Sequence, residues 1–216
     1  MTDLAAVEFA VNPEARCACV LLLDTSGSMG GAPIAALNQG LIDFARDLSK
    51  DGLAAKRVEV AIVTFDSEVK VVQDFVTAGQ FQPPYLSAGG GTDMGSGIVK
   101  ALEILDARKA QYKTNGVSYY RPWIFMITDG APNAGFEPAA ARLQKEEQNK
   151  RVAFFAVGVE GADVSLLSRV SARPPRMLKG LEFGPLFEWL SASMKGVSQS
   201  RPGDQVALPA ADWASV

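Results

Sequence analysis

The apolar run Val20-Leu21-Leu22-Leu23 stops at Asp24, and Ser26 and Ser28 follow at alternate positions around Gly27. An unbroken apolar run bounded by a turn signal reads as a strand buried on both faces. That requirement restricts the chain to folds in which helices cover a parallel sheet. Asp24 then stands at the carboxyl end of the strand, where open α/β sheets carry their sites. Short oxygen-bearing side chains at 24, 26 and 28 can converge on one point in a tight loop. A carboxylate joined by hydroxyls is a donor set suited to a hard divalent cation such as Mg²⁺.

Strand and helix patterns alternate along the rest of the chain. Strands are predicted at about Cys17 to Asp24, Val58 to Phe65, 122–128, Val152 to Val159 and Arg176 to Leu181. Apolar residues at helical spacing from Pro33 to about Ser49 predict a helix, with Pro33 in its first turn. Further helices are predicted near Met94–Tyr112, after the turn residues Asp129-Gly130-Ala131-Pro132-Asn133 at Glu137–Lys150, and at Ala162–Val170 and Phe183–Val197. Glu68 to Phe75 alternates like an exposed strand two residues beyond Phe65, which predicts an antiparallel hairpin at the sheet edge, with Asp66 and Asp74 serving its turns. The expected fold is α/β: a doubly wound, mostly parallel central sheet with one antiparallel edge strand and helices on both faces. The expected domain covers 17–198. Residues 1–16 form an amino-terminal extension whose Val7-Glu8-Phe9-Ala10-Val11 reads as a short edge segment. Residues 199–216 form a tail without regular structure, whose Val206, Leu208 and Trp213 could dock on the domain.

Charge and composition exclude several function classes. The net charge of −3 leaves no basic footprint for nucleic acid, and Arg169, Arg173, Arg176 and Lys179 read as a solvated face. No apolar run approaches the ~20 residues of a membrane span. The amino end lacks a basic segment followed by an apolar core, so no signal peptide is expected. Cys17 and Cys19 are the only cysteines and read as reduced thiols near the core of a cytoplasmic protein. The chain has no histidine, which excludes Ser-His-Asp and Cys-His triads within it and leaves oxygen ligands as the main option for a metal.

Asp24-x-Ser26-x-Ser28 resembles the metal-ion-dependent adhesion site of the von Willebrand factor A (VWA) fold. That motif also has a threonine in a second loop and an aspartate after a later strand. Gly89-Gly90-Gly91-Thr92-Asp93 and Thr128-Asp129-Gly130 supply both in the family's order. The resemblance implies direct ligation by the Ser26 and Ser28 hydroxyls, ligation by Thr92 when a ligand is held, and carboxylates at Asp24 and Asp129 that often act through water. Mg²⁺ is the implied cofactor, with Mn²⁺ or Ca²⁺ as alternatives, and the implied partner is a protein that offers an Asp or Glu to the metal. Each residue also has a plain reading. Asp24 could cap a turn, Ser26 and Ser28 could be turn hydroxyls, Thr92 could cap the following helix, and Asp129-Gly130 is a common turn pair. Together they favour a metal site, because two sheet-end carboxylates repel without a cation between them. Thr128 is expected to hydrogen-bond near Asp129 without being a ligand. Asp93 is expected to lend support or a helix-start charge. Trp189 and Trp213 read as packing groups.

A narrower similarity covers nearly the whole chain. The runs Leu23 to Met29, Ala36 to Gly40, Thr64 to Ser67, Phe81 to Pro84, Arg121-Pro122, Phe155 to Val159, Leu178 to Leu181 and Pro202 to Val206 look like the tellurite-resistance VWA proteins of the TerY type. This implies a cytoplasmic scaffold or signalling component of a bacterial stress-resistance system, with kinase-like or phosphatase-like partners. The expected function is therefore a non-enzymatic, metal-dependent protein-binding module. The alternative is a metal-dependent phosphohydrolase with Asp24 as nucleophile, against which position 26 is Ser rather than a second Asp. A nucleotide-binding reading is weaker, since no G-x-x-x-x-G-K-[ST] is present.

Overall fold

The computed structural model describes residues 4–130 and 135–215; the turn residues Ala131, Pro132 and Asn133 lie outside them. The element order is α1 (Leu4–Val11), β1 (Cys17–Asp24), α2 (Ala32–Ser49), α3 (Ala54–Arg57), β2 (Val58–Phe65), β3 (Val69–Thr77), α4 (Met94–Thr114), β4 (Trp123–Thr128), α5 (Glu137–Gln148), β5 (Ala153–Gly158), α6 (Val164–Val170), β6 (Arg176–Leu178), α7 (Phe183–Gln199) and β7 (Ala214–Ser215). One sheet runs in the order β3-β2-β1-β4-β5-β6-β7. Its five inner strands are parallel, and β3 pairs antiparallel with β2 at one edge.

Burial on both faces explains the apolar strands. Alternate residues of β1 serve opposite cores. Cys17, Cys19, Leu21 and Leu23 join a cluster with α2 and α7, while Ala18, Val20 and Leu22 join one with α4, α5 and α6. On α2, Ile34, Leu37, Leu41, Phe44 and Leu48 recur at helical spacing and are buried. α2 meets α7 at Gly40, where a Cβ would lie 2.5 Å from Phe187 Cδ2. The helices therefore approach as closely as they do because position 40 has no side chain. Buried Asn38 fixes the long stretch after β3: its amide donates to Leu86 O (2.9 Å) and its carbonyl accepts from Leu86 N–H (2.8 Å).

Three sequence expectations need correction. Residues 7–11 belong to helix α1, not an edge strand. The apparent alternation does not define a buried face, since Phe9 is buried while Val11 is 81% exposed. Asp74 serves no hairpin turn: it lies within β3, beside a register shift opposite Ile62, and accepts from Phe75 N–H. Asp66 does serve the turn, accepting from Glu68 N–H. The tail ends in regular structure, because β7 pairs antiparallel with β6 and extends the far edge of the sheet. Trp213 holds this end in place, buried edge-to-face against Trp189.

At the amino end of the sheet lies a fully buried carboxylate. Glu59, on β2, accepts from Arg16 Nε (2.7 Å), Arg108 Nε (2.8 Å), Arg108 Nη2 (2.9 Å) and the Tyr112 hydroxyl. Arg108 also donates to Glu8 of α1 (2.6 Å), and Phe9 lies under both guanidinium groups. Burial first, then the Glu59 charge, pushes the Tyr112 hydroxyl well above its ordinary value, so it remains a donor.

Candidate metal centre

Three loops meet at the carboxyl end of the sheet. The first leaves β1 at Asp24 and makes a single 3₁₀ turn at Gly27–Met29. The second, residues 89–93, leads into α4, and the third leaves β4 at Asp129. Backbone bonds clasp the first two together: Gly27 N–H donates to Gly90 O (3.1 Å) and Gly89 N–H to Thr25 O (2.8 Å). The β2–β3 turn supports both. Thr25 Oγ1 donates to Asp66 Oδ2 (3.0 Å), Asp93 N–H to Asp66 O (2.8 Å), and Gly91 N–H to Ser67 Oγ (2.8 Å). Gly90 has φ +78°, and a Cβ there would lie 2.7 Å from Ser67 Oγ, so the loop closes only with glycine at this position.

These loops bring the five expected residues together. Ser26 Oγ and Ser28 Oγ are 3.1 Å apart, and Ser28 Oγ donates to Asp129 Oδ1 (2.8 Å) across 101 positions of sequence. Asp24 is fully buried. Its Oδ1 accepts from Ser26 N–H (2.8 Å) and its Oδ2 from the Thr128 hydroxyl (2.5 Å). Thr92 Oγ1 and Asp24 Oδ2 flank one point: a Cβ on Gly130 would stand 3.3 Å from the first and 3.4 Å from the second. Thr92 does not cap α4; Asp93 does, accepting from Ser96 N–H (3.1 Å). The capping explanation for Thr92 therefore fails.

The charge arrangement is unfavourable for the protein alone. Burial raises Asp24 above the ordinary carboxylate value. Hydrogen bonds from Ser26 and Thr128 oppose that rise, and the Asp129 charge adds to it. No lysine or arginine among the described residues forms an ion pair with Asp24 or Asp129. No group of three or more His, Cys, Asp or Glu suited to a metal occurs among them either, so a site here depends on hydroxyl oxygens. The donor chemistry fits a small hard cation. Two ligands at ~2.0–2.1 Å from an octahedral Mg²⁺ stand about 2.9 Å apart, close to the separation of the two serine oxygens.

Sequence reading did not find the supporting residues Asp66 and Ser67 in this role, and no local pattern marks them. Thr128 hydrogen-bonds beside Asp129 as expected, accepting from Gly130 N–H (3.2 Å), and in addition its hydroxyl donates to Asp24.

The sequence model of the von Willebrand factor type A domain matches residues 19–182. Among solved structures, a von Willebrand factor type A protein from Catenulispora acidiphila superposes with a TM-score of 0.62 at 17% identity, covering 84% of this chain and 43% of its own. The open form of the pilus adhesin SpaC from Lactobacillus rhamnosus GG gives 0.67 at 15%, covering 85% and 30%. The minor pilin PilB from Streptococcus sanguinis gives 0.61 at 14%, covering 84% and 62%. The chain thus spans less than two thirds of each of these proteins, and at such identities the likeness shows the fold alone. The match over residues 19–182 together with this fold places the chain in the von Willebrand factor type A domain family, whose members often mediate metal-dependent protein interactions.

Proposed function

We propose that this chain is a non-enzymatic protein-interaction module that holds a divalent cation, Mg²⁺ in the first instance and Mn²⁺ or Ca²⁺ as alternatives, at Asp24, Ser26, Ser28, Thr92 and Asp129. A bound cation would supply a positive charge with an open coordination position for an Asp or Glu of the partner. The observation that carries this reading is the unbroken line of oxygens Ser26 Oγ, Ser28 Oγ and Asp129 Oδ1, spaced 3.1 and 2.8 Å, beside the carboxylate of Asp24. Ser26 and Ser28 present neutral oxygens, and Ser28 is exposed to a partner. Asp24 is oriented by donors on both oxygens, which suits a carboxylate acting through water.

Burial counsels against Asp24 as a phosphohydrolase nucleophile: its side chain is fully buried, whereas a nucleophile must reach the substrate.

The narrower reading is a cytoplasmic scaffold or signalling component of a tellurite-resistance system of the TerY type, with kinase-like or phosphatase-like partners. Its support is the sequence resemblance. Deleting the gene in its native host and scoring growth on tellurite tests it; unaltered resistance would contradict it. The metal site is tested by Mn²⁺ titration followed by electron paramagnetic resonance, with Mg²⁺ competition. The expected result is saturable binding that Mg²⁺ displaces and that Ser26→Ala/Ser28→Ala abolishes. Identical behaviour of the variant and the wild type would overturn the site.

A further inference from the structure

Three concavities follow one another and share walls, from the β5–β6 edge round to the amino ends of β4 and β5. The first, about 390 Å³, is lined by Phe125, Phe155, Trp189 and Trp213, with Arg173 and Arg176. The second, about 550 Å³, shares Phe155 and Arg173 and adds Trp123, Arg121 and Lys150. The third, about 530 Å³, shares Arg121 and Lys150 and adds Lys109, Lys113 and Arg151.

In a chain of net charge −3, this belt is lined by seven basic side chains and two acidic ones, Asp106 and Asp204. Both acids are engaged within the chain. Asp106 pairs with Lys109 (2.7 Å) and Arg142 (3.3 Å), and Asp204 accepts from Arg201 N–H (2.9 Å). Arg169, Arg176 and Lys179 are exposed and Arg173 is partly so, as expected of a solvated face, but they do not act as one group. Arg169 pairs with Glu137 (2.9 Å) and Lys179 donates to Asp212 O, whereas Arg173 and Arg176 belong to the belt.

Several of these cations lack a counter-charge. Arg176, Lys113 and Lys150 form no ion pair among the described residues. Half-buried Arg121 donates only to carbonyls, Val152 O (2.7 Å) and Glu147 O (3.1 Å). Burial and then the neighbouring Arg173 charge lower its pKa. Arg173 stacks on Phe155, and its nearest carboxylate oxygen, on Glu147, is 3.9 Å away and already accepts from Phe154 N–H. The buried Trp213 Nε1 has no hydrogen-bond partner among the described residues.

We propose that this belt binds an extended acidic peptide segment of a partner protein, with one large apolar side chain in the Phe155–Trp189–Trp213 concavity and carboxylates along Arg173, Arg121, Lys150 and Lys113. The size and aromatic lining of the first concavity suit one anchoring side chain. Three adjoining concavities in a row suit an extended backbone that passes from one to the next; the edge of β5 takes no part, since Phe154 N–H already donates to Glu147 Oε1 (3.2 Å). A nucleic acid is the poorer fit. Lys109 and Arg151 are already paired with Asp106 (2.7 Å) and Glu146 (3.5 Å), which leaves spaced single cations rather than a continuous track for phosphates.

The test is a fluorescence-anisotropy titration in EDTA of a labelled short peptide that carries one Phe followed by alternating Asp, Glu and Ser. The proposal expects saturable binding that weakens with salt, roughly tenfold weaker binding by Lys113→Glu/Arg176→Glu, and wild-type binding by Ser26→Ala/Ser28→Ala. Both reversed residues are exposed, so thermal unfolding of the first variant should match the wild type. No saturable binding, or equal binding by a folded charge-reversal variant, overturns the proposal. Tighter binding of an oligouridine of equal charge overturns it in favour of a nucleic-acid site. Because the metal is chelated throughout, failure here is distinct from failure of the metal centre.

Discussion

Replacing Glu59 with Ala should destabilise the domain more than any exposed substitution. The carboxylate is fully buried and answers two guanidinium groups, Arg16 at 0% and Arg108 at 7% exposure. Without it Arg108 keeps Glu8 and Gln111, but Arg16 keeps only the carbonyls of Glu14 and Asn12. A buried charge is then left with no opposite charge, a change that costs about 3–5 kcal/mol. In a domain of this size each kcal/mol moves Tm by about 2–4 °C, so Glu59→Ala should lower it by about 6–20 °C. The assay is thermal and urea unfolding by circular dichroism. Replacing the whole group, Arg16→Met/Glu59→Leu/Arg108→Met, should recover much of that loss, because buried ion groups exchange for apolar ones at little net cost. A loss below about 1 kcal/mol for Glu59→Ala would refute the reasoning, since it would mean that water or rearrangement neutralises Arg16 readily.

Further outcomes follow from the same geometry. Burial makes the folded protein hold the Asp24 proton more tightly than the unfolded chain, so without metal this group costs stability as pH rises from about 3.8 through its raised folded value. Asp24→Asn should therefore melt at or above the wild-type Tm in EDTA at neutral pH. Wild type at [Mg²⁺] of about 100 Kd should gain about 2.7 kcal/mol, or about 5–11 °C, and the variant should not; a full Mg²⁺ shift in the variant would contradict the site. Gly40→Ala should cost about 1–3 kcal/mol despite its better helix propensity, because the new methyl meets Phe187, itself packed on Phe44; an unchanged Tm would contradict the close α2–α7 contact. Burial and then the Glu59 charge push the Cys17 thiol up to about 12, and burial also raises Cys19, so both should react with a thiol reagent only on unfolding. Fast labelling of the native protein would contradict their place in the core.

Elements buried on both sides were the most legible. Cys17–Asp24 and Val58–Phe65 match their sequence bounds because apolar runs ending in turns leave little choice of boundary. α1 was hidden because its strand-like alternation buries only Phe9 among its described side chains from Glu8 to Val11. β7 was hidden because a two-residue strand has no period, and its place depends on Trp213 reaching Trp189. The five candidate metal residues could be named because loop oxygens at strand ends form a local pattern. Their support could not, since Thr25–Asp66 and Gly91–Ser67 are contacts across 41 and 24 positions. One signal went unused: Glu59 is a lone carboxylate in an otherwise apolar strand, and a charge there requires a buried partner. Of the basic belt only Arg173 and Arg176 stood out as a local cluster, because Lys113, Arg121 and Lys150 come from other stretches of the chain.

The most direct measurement is an anomalous-difference map from crystals of the protein grown with Mn²⁺. The account predicts one peak bonded to the Ser26 and Ser28 hydroxyls, with Asp24 and Asp129 bonded to it or one water away. The same peak should be absent from Ser26→Ala/Ser28→Ala crystals. A map with no peak at these loops at saturating Mn²⁺, or with the metal held elsewhere, would contradict the claim that this end of the sheet is a metal centre.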